Sequence, residues 1–496
     1  MVGPARFLPR KPIAMNSRWT LLTLCLLVSP LPGAEPAKPI DLGSRREIFV
    51  DRFMIDSMKD VTLRLETPRD EGVSIPLDKP WEGPFSTYAT VLKDGDEYRM
   101  YYRGTPGIRA TIKERSTLEN TCVAISKDGK TWTKPELGLF EVHGTKANNV
   151  VLSGPEGRYT HNFCPMIDTR PGVPKEERYK ALAGGKSGGL GAFASADGYR
   201  WKLLKPSVIT EGYFDSQNVP MWSEAEQRYV CYFRVFVDKI RRISRTTSKD
   251  FLTWTPPVLM TYTDDRPVEH LYTNQTVPYF RAPHMYLGIA ARFMPGRQVL
   301  SPQQAEANKL NPGYFKDCSD AVLITTRGGD KYDRTFPEGF LVPGIGPENW
   351  SSRTNYPARN IVQTGPNEMS FYVTQSYGQP GIHFRRYSLR LDGFAAAVAP
   401  YAGGELVTKP FTFAGKELSL NFATSAAGGI TVELQDDKGQ PIPGFTATDA
   451  TETIGNEIDR VVRWKSGSDV SRLAGKPVRL RFVMKDAKLY AFQFRN

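Results

Sequence analysis

The chain has 496 residues, 40% hydrophobic and 24% charged, enough for two to four domains or for one large β architecture with an appendage. Its 43 Gly and 38 Pro fall well short of the ~25–30% that marks low complexity, which excludes disorder for the bulk of the chain. The formal net charge of +12 is spread along the sequence without Lys/Arg runs, which argues against nucleic acid as a partner.

In chain order, residues 1–34 carry Arg6, Arg10, Lys11 and Arg18 and no acid, followed by the apolar run 21–28 and then Pro30, Pro32, Gly33 and Ala34. The run is too short to cross a ~30 Å hydrocarbon core, and its flanks fit a secretory signal peptide, 1–34, cut near Ala34. A secreted or periplasmic location is expected, with no integral membrane association after signal cleavage. Four cysteines remain: Cys122, Cys164, Cys231 and Cys318. Each lies in an apolar run and reads as a buried thiol, with two disulfides as the alternative. Without CxxC or clustered Cys/His spacing, no metal site and no cofactor are expected.

A repeat organises the middle of the chain. Ser126-Lys-Asp-Gly-Lys-Thr-Trp132 recurs as Ser195-Ala-Asp-Gly-Tyr-Arg-Trp201 and Ser248-Lys-Asp-Phe-Leu-Thr-Trp254, with fainter echoes at 325–331 and 388–394. Asp-Gly supplies the positive φ of a tight hairpin. A run of aromatic and β-branched residues precedes each copy, at 98–102, 179–183, 229–233, 285–289 and 369–373. Five sheets at intervals of ~50–80 residues, with little helical periodicity, predict an all-β chain: a five-bladed β-propeller over 45–400. After Gly403-Gly404, short alternating strands such as 417–422, 430–434 and 478–483 predict a C-terminal β-sandwich domain over 405–496.

These hairpins, with the line Thr90-Val-Leu-Lys-Asp-Gly-Asp-Glu-Tyr-Arg-Met-Tyr-Tyr102, give the chain a resemblance to the five-bladed-propeller glycoside hydrolases of families 32 and 43, the former with a C-terminal β-sandwich. The resemblance implies a funnel whose first three inner strands each present a carboxylate. Here those positions fall on Tyr88, Asn162 and Asn218, so the chain departs from the family's catalytic trio.

A second repeat stands there instead. Asn162, Asn218, Asn274 and Asn355 each precede a Pro and a strand, which predicts a ring of amides suited to sugar hydroxyls; local turn capping is the competing reading. Nearby carboxylates supply the catalytic candidates: Asp215 as base and Glu269 as proton donor, with Glu82 in reserve. Hydrolysis of a glycosidic bond needs two such groups ~5–9.5 Å apart. His161 and His270 adjoin the ring and are candidates to bind a hydroxyl or orient a carboxylate. Arg353 is a candidate for an acidic substrate group, and Trp81 for stacking on a sugar face. The function expected is an exported carbohydrate-active protein, a glycoside hydrolase acting on oligo- or polysaccharide, with carbohydrate as its partner. The alternative is a non-catalytic glycan-binding propeller, motivated by the missing trio.

Overall fold

The computed structural model describes residues 38–106, 119–154, 159–185 and 188–496. The signal peptide expected over 1–34 lies outside them. The chain divides into two compact units, 1–38 and 39–496, and the account below concerns the second. Among the described residues, no helix is long and apolar enough to cross a membrane.

Five antiparallel sheets form the blades of a β-propeller. The inner strands are Thr87–Asp94, Cys164–Ile167, Val219–Ser223, Val277–Tyr279 and Tyr356–Pro357, and each leads its own sheet. The first four inner strands pack one against the next, the fifth packs on the other strands of blade four, and it returns to the first. The first three blades have four strands, as the hairpin spacing predicts. The fourth has three, and a separate parallel pair, Thr261–Tyr262 with Lys331–Tyr332, accompanies it.

Blade five is completed from the other end of the chain. Arg69–Pro76 pairs antiparallel with His383–Arg390, so the ring is closed by hydrogen bonds between sequence-distant strands and its edge is covered.

The hairpin repeat explains how the blades dock. In each of three copies a serine hydroxyl accepts from the backbone N–H three residues on, at Ser126, Ser195 and Ser248. The following aspartate accepts two further backbone N–H groups, at Asp128, Asp197 and Asp250. Despite some burial, these bonds hold the Asp250 carboxyl down at about 2. The turn then presents a carbonyl to the preceding blade: Gly198 O takes the Tyr101 hydroxyl at 3.0 Å, and Gly129 O takes the Tyr372 hydroxyl.

Gly198 has φ +77°, and a Cβ there would lie 2.6 Å from the Tyr101 hydroxyl and nearer still to the Arg99 guanidinium. Gly198→Ala should therefore cost about 2–4 kcal/mol from left-handed strain plus overpacking. Gly138→Ala, at φ +68° with open space around it, should cost only the ~1–2 kcal/mol of strain. Denaturant midpoints of the two variants check this.

The remaining strands build a ten-stranded sheet around a second core, which includes Phe411, Leu420, Ile430, Val432, Trp464, Leu480 and Phe492, each at most 2% exposed. This sheet is not confined to 405–496. Ile40–Gly43, Glu47–Ile48, Ile55–Lys59 and Thr62–Leu65 pair into it, as does Ala395–Ala399. The boundaries expected from sequence, 45 and 405, therefore shift. Pairings that span some hundreds of residues leave no local pattern, and a period-2 strand suits either sheet.

All four described cysteines are buried free thiols.

Candidate functional site

The five inner strands start from one face of the ring, and that face is where the backbone is least relaxed. Tyr88, Asn162, Gln275, Arg353 and Asn355, at or just before the strand starts, all have φ between +52° and +68°. Left-handed backbone is ordinary for Asn but costly for Tyr, Gln and Arg. Strain persists only where the surroundings over-determine it, and it clusters at functional sites.

The four asparagines predicted to form a ring do head inner strands, and all are at most 1% exposed. Their side chains serve partly as local caps. Asn218 donates to Phe214 O at 3.3 Å, Asn274 accepts from Thr276 N at 2.9 Å, and Asn355 donates to Ser319 O at 3.2 Å. Asn162 instead accepts from Arg103 at 3.3 Å. Asn162 Nδ2, Asn218 Oδ1 and Asn274 Nδ2 are buried without a hydrogen-bond partner.

The floor beneath them consists of residues the sequence reading passed over. Gln217 donates to Thr90 Oγ1 at 2.8 Å and accepts from Gln275 at 2.7 Å, and Gln275 also donates to Pro357 O at 2.8 Å. Arg359 donates to Pro165 O at 2.6 Å and Pro220 O at 2.7 Å. Together these bonds tie the starts of all five inner strands. The available signal was the Gln beside Asn in both Gln217-Asn218 and Asn274-Gln275.

Above the floor lies a cluster of phenols and guanidiniums. Tyr88, Tyr272, Tyr356 and Phe293 pack together. The Arg234 guanidinium lies 4.6 Å from the Tyr272 ring centroid, Arg241 5.1 Å and Arg353 5.5 Å. Burial pushes the Tyr272 phenol up, but Arg353, Arg234 and Arg241 outweigh it and bring it down to about 7. Arg353 also lies over Tyr314 at 4.7 Å, and Arg103 over Tyr88 at 4.8 Å. Arg234, only 2% exposed, was legible as the lone charge in the apolar strand 229–237. Arg103, Arg241 and Tyr272 carried no comparable mark.

Two acid–base groups border this cluster. Asp215, half-buried, forms an ion pair with Arg234. On the neighbouring blade the His161 Nδ1 lies 2.7 Å from Glu119 Oε2, and Glu119 Oε1 lies 3.7 Å from Arg103. A carboxylate accepts the Nδ1 proton, which fixes the tautomer and aims Nε2 away from Glu119. Glu119 is 5% exposed.

The other candidates sit elsewhere. Glu82 is 3% exposed. It accepts from Lys134 at 2.7 Å, the Tyr102 hydroxyl at 2.6 Å and Lys79 N at 3.0 Å, so it is a fully engaged internal anion. Trp81 packs in the same core and donates to Asn149 at 2.8 Å; it is not available for stacking on a sugar. Glu269 pairs with Arg292 at 2.9 Å and lines an apolar cavity of about 250 Å³ with Tyr262, Val322, Ile324 and Phe336. Its carboxylate is thus engaged by a guanidinium beside that cavity. His270 stands behind the cluster, its Nδ1 3.3 Å from Arg241 Nη1. Burial and that arginine push its pKa down.

No protein-family model matches this chain, and no curated protein matches it. Among solved structures it is similar to a glycoside hydrolase at 10% identity, TM-score 0.44, over 65% of this chain and 92% of that one. It is also similar to a family 43 arabinoxylan arabinofuranohydrolase from Bacillus subtilis in complex with cellotetraose, at 11% identity and TM-score 0.38, over 84% and 96%. A third is an exo-β-1,3-galactanase from Phanerochaete chrysosporium with β-1,3-galactotriose, at 12% and 0.36, over 86% and 100%. At such scores the likeness carries nothing about chemistry, which rests on the side chains themselves.

Proposed function

We propose that the chain is an exported glycoside hydrolase acting on oligo- or polysaccharide at this face of the propeller. In this reading Asp215 is the base, and His161, positioned by Glu119, is the proton donor. The observation that carries it is the placement, just ahead of the inner strands of adjacent blades, of a carboxylate-anchored imidazole and an arginine-anchored carboxylate.

Cleaving a glycosidic bond needs a proton delivered to the leaving oxygen and a base or nucleophile on the other side of the anomeric carbon. His161 is the candidate for the first. Asp215, held by Arg234, is the candidate for the second. The buried amide atoms and phenols at the strand starts suit hydroxyls and sugar faces. Export rests on the basic and apolar pattern of residues 1–34.

A second reading, a glycan-binding propeller without turnover, is favoured by the same ion pair, because Arg234 occupies part of the Asp215 carboxylate. A panel of polysaccharides, assayed both for new reducing ends and for affinity, separates the two. New reducing ends support the hydrolase, affinity without them supports the binding module, and neither result on any glycan overturns both.

A further inference from the structure

The arginine cluster has more positive charge than hydrolysis of a neutral sugar requires. Four guanidiniums, of Arg103, Arg234, Arg241 and Arg353, gather around Tyr88 and Tyr272. Two carboxylates accompany them, Glu119 beside Arg103 and Asp215 on Arg234. Among the described residues neither Arg241 nor Arg353 has a carboxylate within ion-pairing distance. The Nε atoms of Arg234, Arg241 and Arg353 and the Nη1 of Arg234 are buried without an acceptor.

Buried donors are ordinarily satisfied, and leaving one unpaired costs ~1–3 kcal/mol, more for charged groups. Three guanidiniums from two strands and a left-handed loop, converging within 4.6–5.5 Å of one ring, repel one another. Such an arrangement is costly unless an anion joins it.

We infer that Arg234, Arg241 and Arg353 form a binding site for an anionic substituent of the glycan, the carboxylate of a uronic acid or a sulfate ester. The inference rests on the glycan reading for its physical ligand but not for its chemistry, since the site would take the free anion as well. Guanidinium presents a planar fork that matches carboxylate and sulfate oxygens, and all three guanidiniums share the Tyr272 ring.

The inference couples the anion to Tyr272. The groups facing that phenol are Arg234, Arg241 and Arg353, with Tyr88 and Tyr356 packed on the ring, Asp215 behind Arg234 and His270 behind Arg241. An anion on the arginines offsets their pull and raises the phenol's pKa. By reciprocity, ionising the phenol weakens anion binding as pH rises through about 7.

The test titrates the full chain by calorimetry with glucuronate, inorganic sulfate and glucose at matched ionic strength. Glucuronate or sulfate should bind, and the preferred anion identifies the substituent. Affinity should fall ~10-fold or more in Arg353→Met and in Arg241→Met, the size of one lost charged hydrogen bond. Methionine keeps the apolar stem over the rings, and Tyr272→Phe adds a folded variant with the opposite expectation: removing the competing phenol should strengthen anion binding above neutral pH. Neither anion binding better than glucose, or equal binding by wild type and both methionine variants, overturns the site. If neutral polysaccharide is cleaved while both anions fail, the anion site falls and the hydrolase stands. If the anions bind as described while no polysaccharide is touched, the anion site stands and the glycan reading falls.

Discussion

Asp215→Asn and His161→Asn should each lower turnover on a cleaved glycan by roughly 10²–10⁴, the span for positioned acid and base groups. Both substitutions keep a polar group of similar size and remove proton exchange, so glycan affinity should change little. Glu269→Gln should stay near the wild-type rate, because Glu269 is held by Arg292 beside the apolar cavity. Glu119→Gln tests positioning. It leaves His161 in place but removes the carboxylate that lies 2.7 Å from Nδ1 and holds the ring. With the ring less firmly held, kcat should fall about 10-fold with KM nearly unchanged. A merely structural Glu119 would alter the folded fraction and leave kcat per folded molecule where it was. Wild-type rates in both Asp215→Asn and His161→Asn would remove this pair from catalysis.

The parts of this arrangement that sequence made legible are those written locally. Ser-x-Asp-Gly is complete within seven residues, since the hydrogen bonds that shape the turn, from Ser195 to Arg200 for example, are made inside it. The blade count followed, and so did the Asn heads of the inner strands. The acid–base pair was half legible. Asp215 and His161 stood beside the Asn repeat, but Glu119 reaches His161 across 42 residues and from another blade, and no spacing encodes that. Glu82 and Trp81 misled for the converse reason. They lie a few residues ahead of the first inner strand, as Asp215 lies ahead of the third, yet the chain there turns into the core, where Lys134 and Asn149 meet them. The strands 40–65 are the same problem at larger scale: their partners begin near residue 395.

Asp392→Ala should be among the most damaging single substitutions outside the funnel, at about 3–5 kcal/mol. Its carboxylate has no exposed surface and binds Arg46 at 3.1 Å, Arg281 at 2.9 Å, the Tyr279 hydroxyl at 2.8 Å and Asn421 Nδ2 at 2.9 Å. Tyr279 and Arg281 come from blade four, whereas Arg46 and Asn421 come from the segments that build the ten-stranded sheet. One anion thus ties the propeller to the sheet and satisfies donors from both. Removing it leaves two guanidiniums to share Asp459, 2.6 Å from Arg46 and 3.5 Å from Arg281, with Gln493 Oε1 2.8 Å from Arg46. Asp392 also has φ +63°, so alanine adds left-handed strain that asparagine tolerates. Asp392→Asn separates the two contributions: it keeps the backbone and the shape but loses the charge and one of the two acceptor oxygens, so most of the destabilisation should remain. Arg460→Ala, which breaks an exposed pair with Glu457, should cost at most ~1 kcal/mol and serves as the control. Chemical denaturation of the three variants decides it, and an Asp392→Asn midpoint equal to wild type would mean that the interface does not depend on this charge. Because the sheet draws on residues 40–65 and the ring is closed by 69–76, loosening this contact frees the strand that closes blade five, and both regions should unfold together in a single transition.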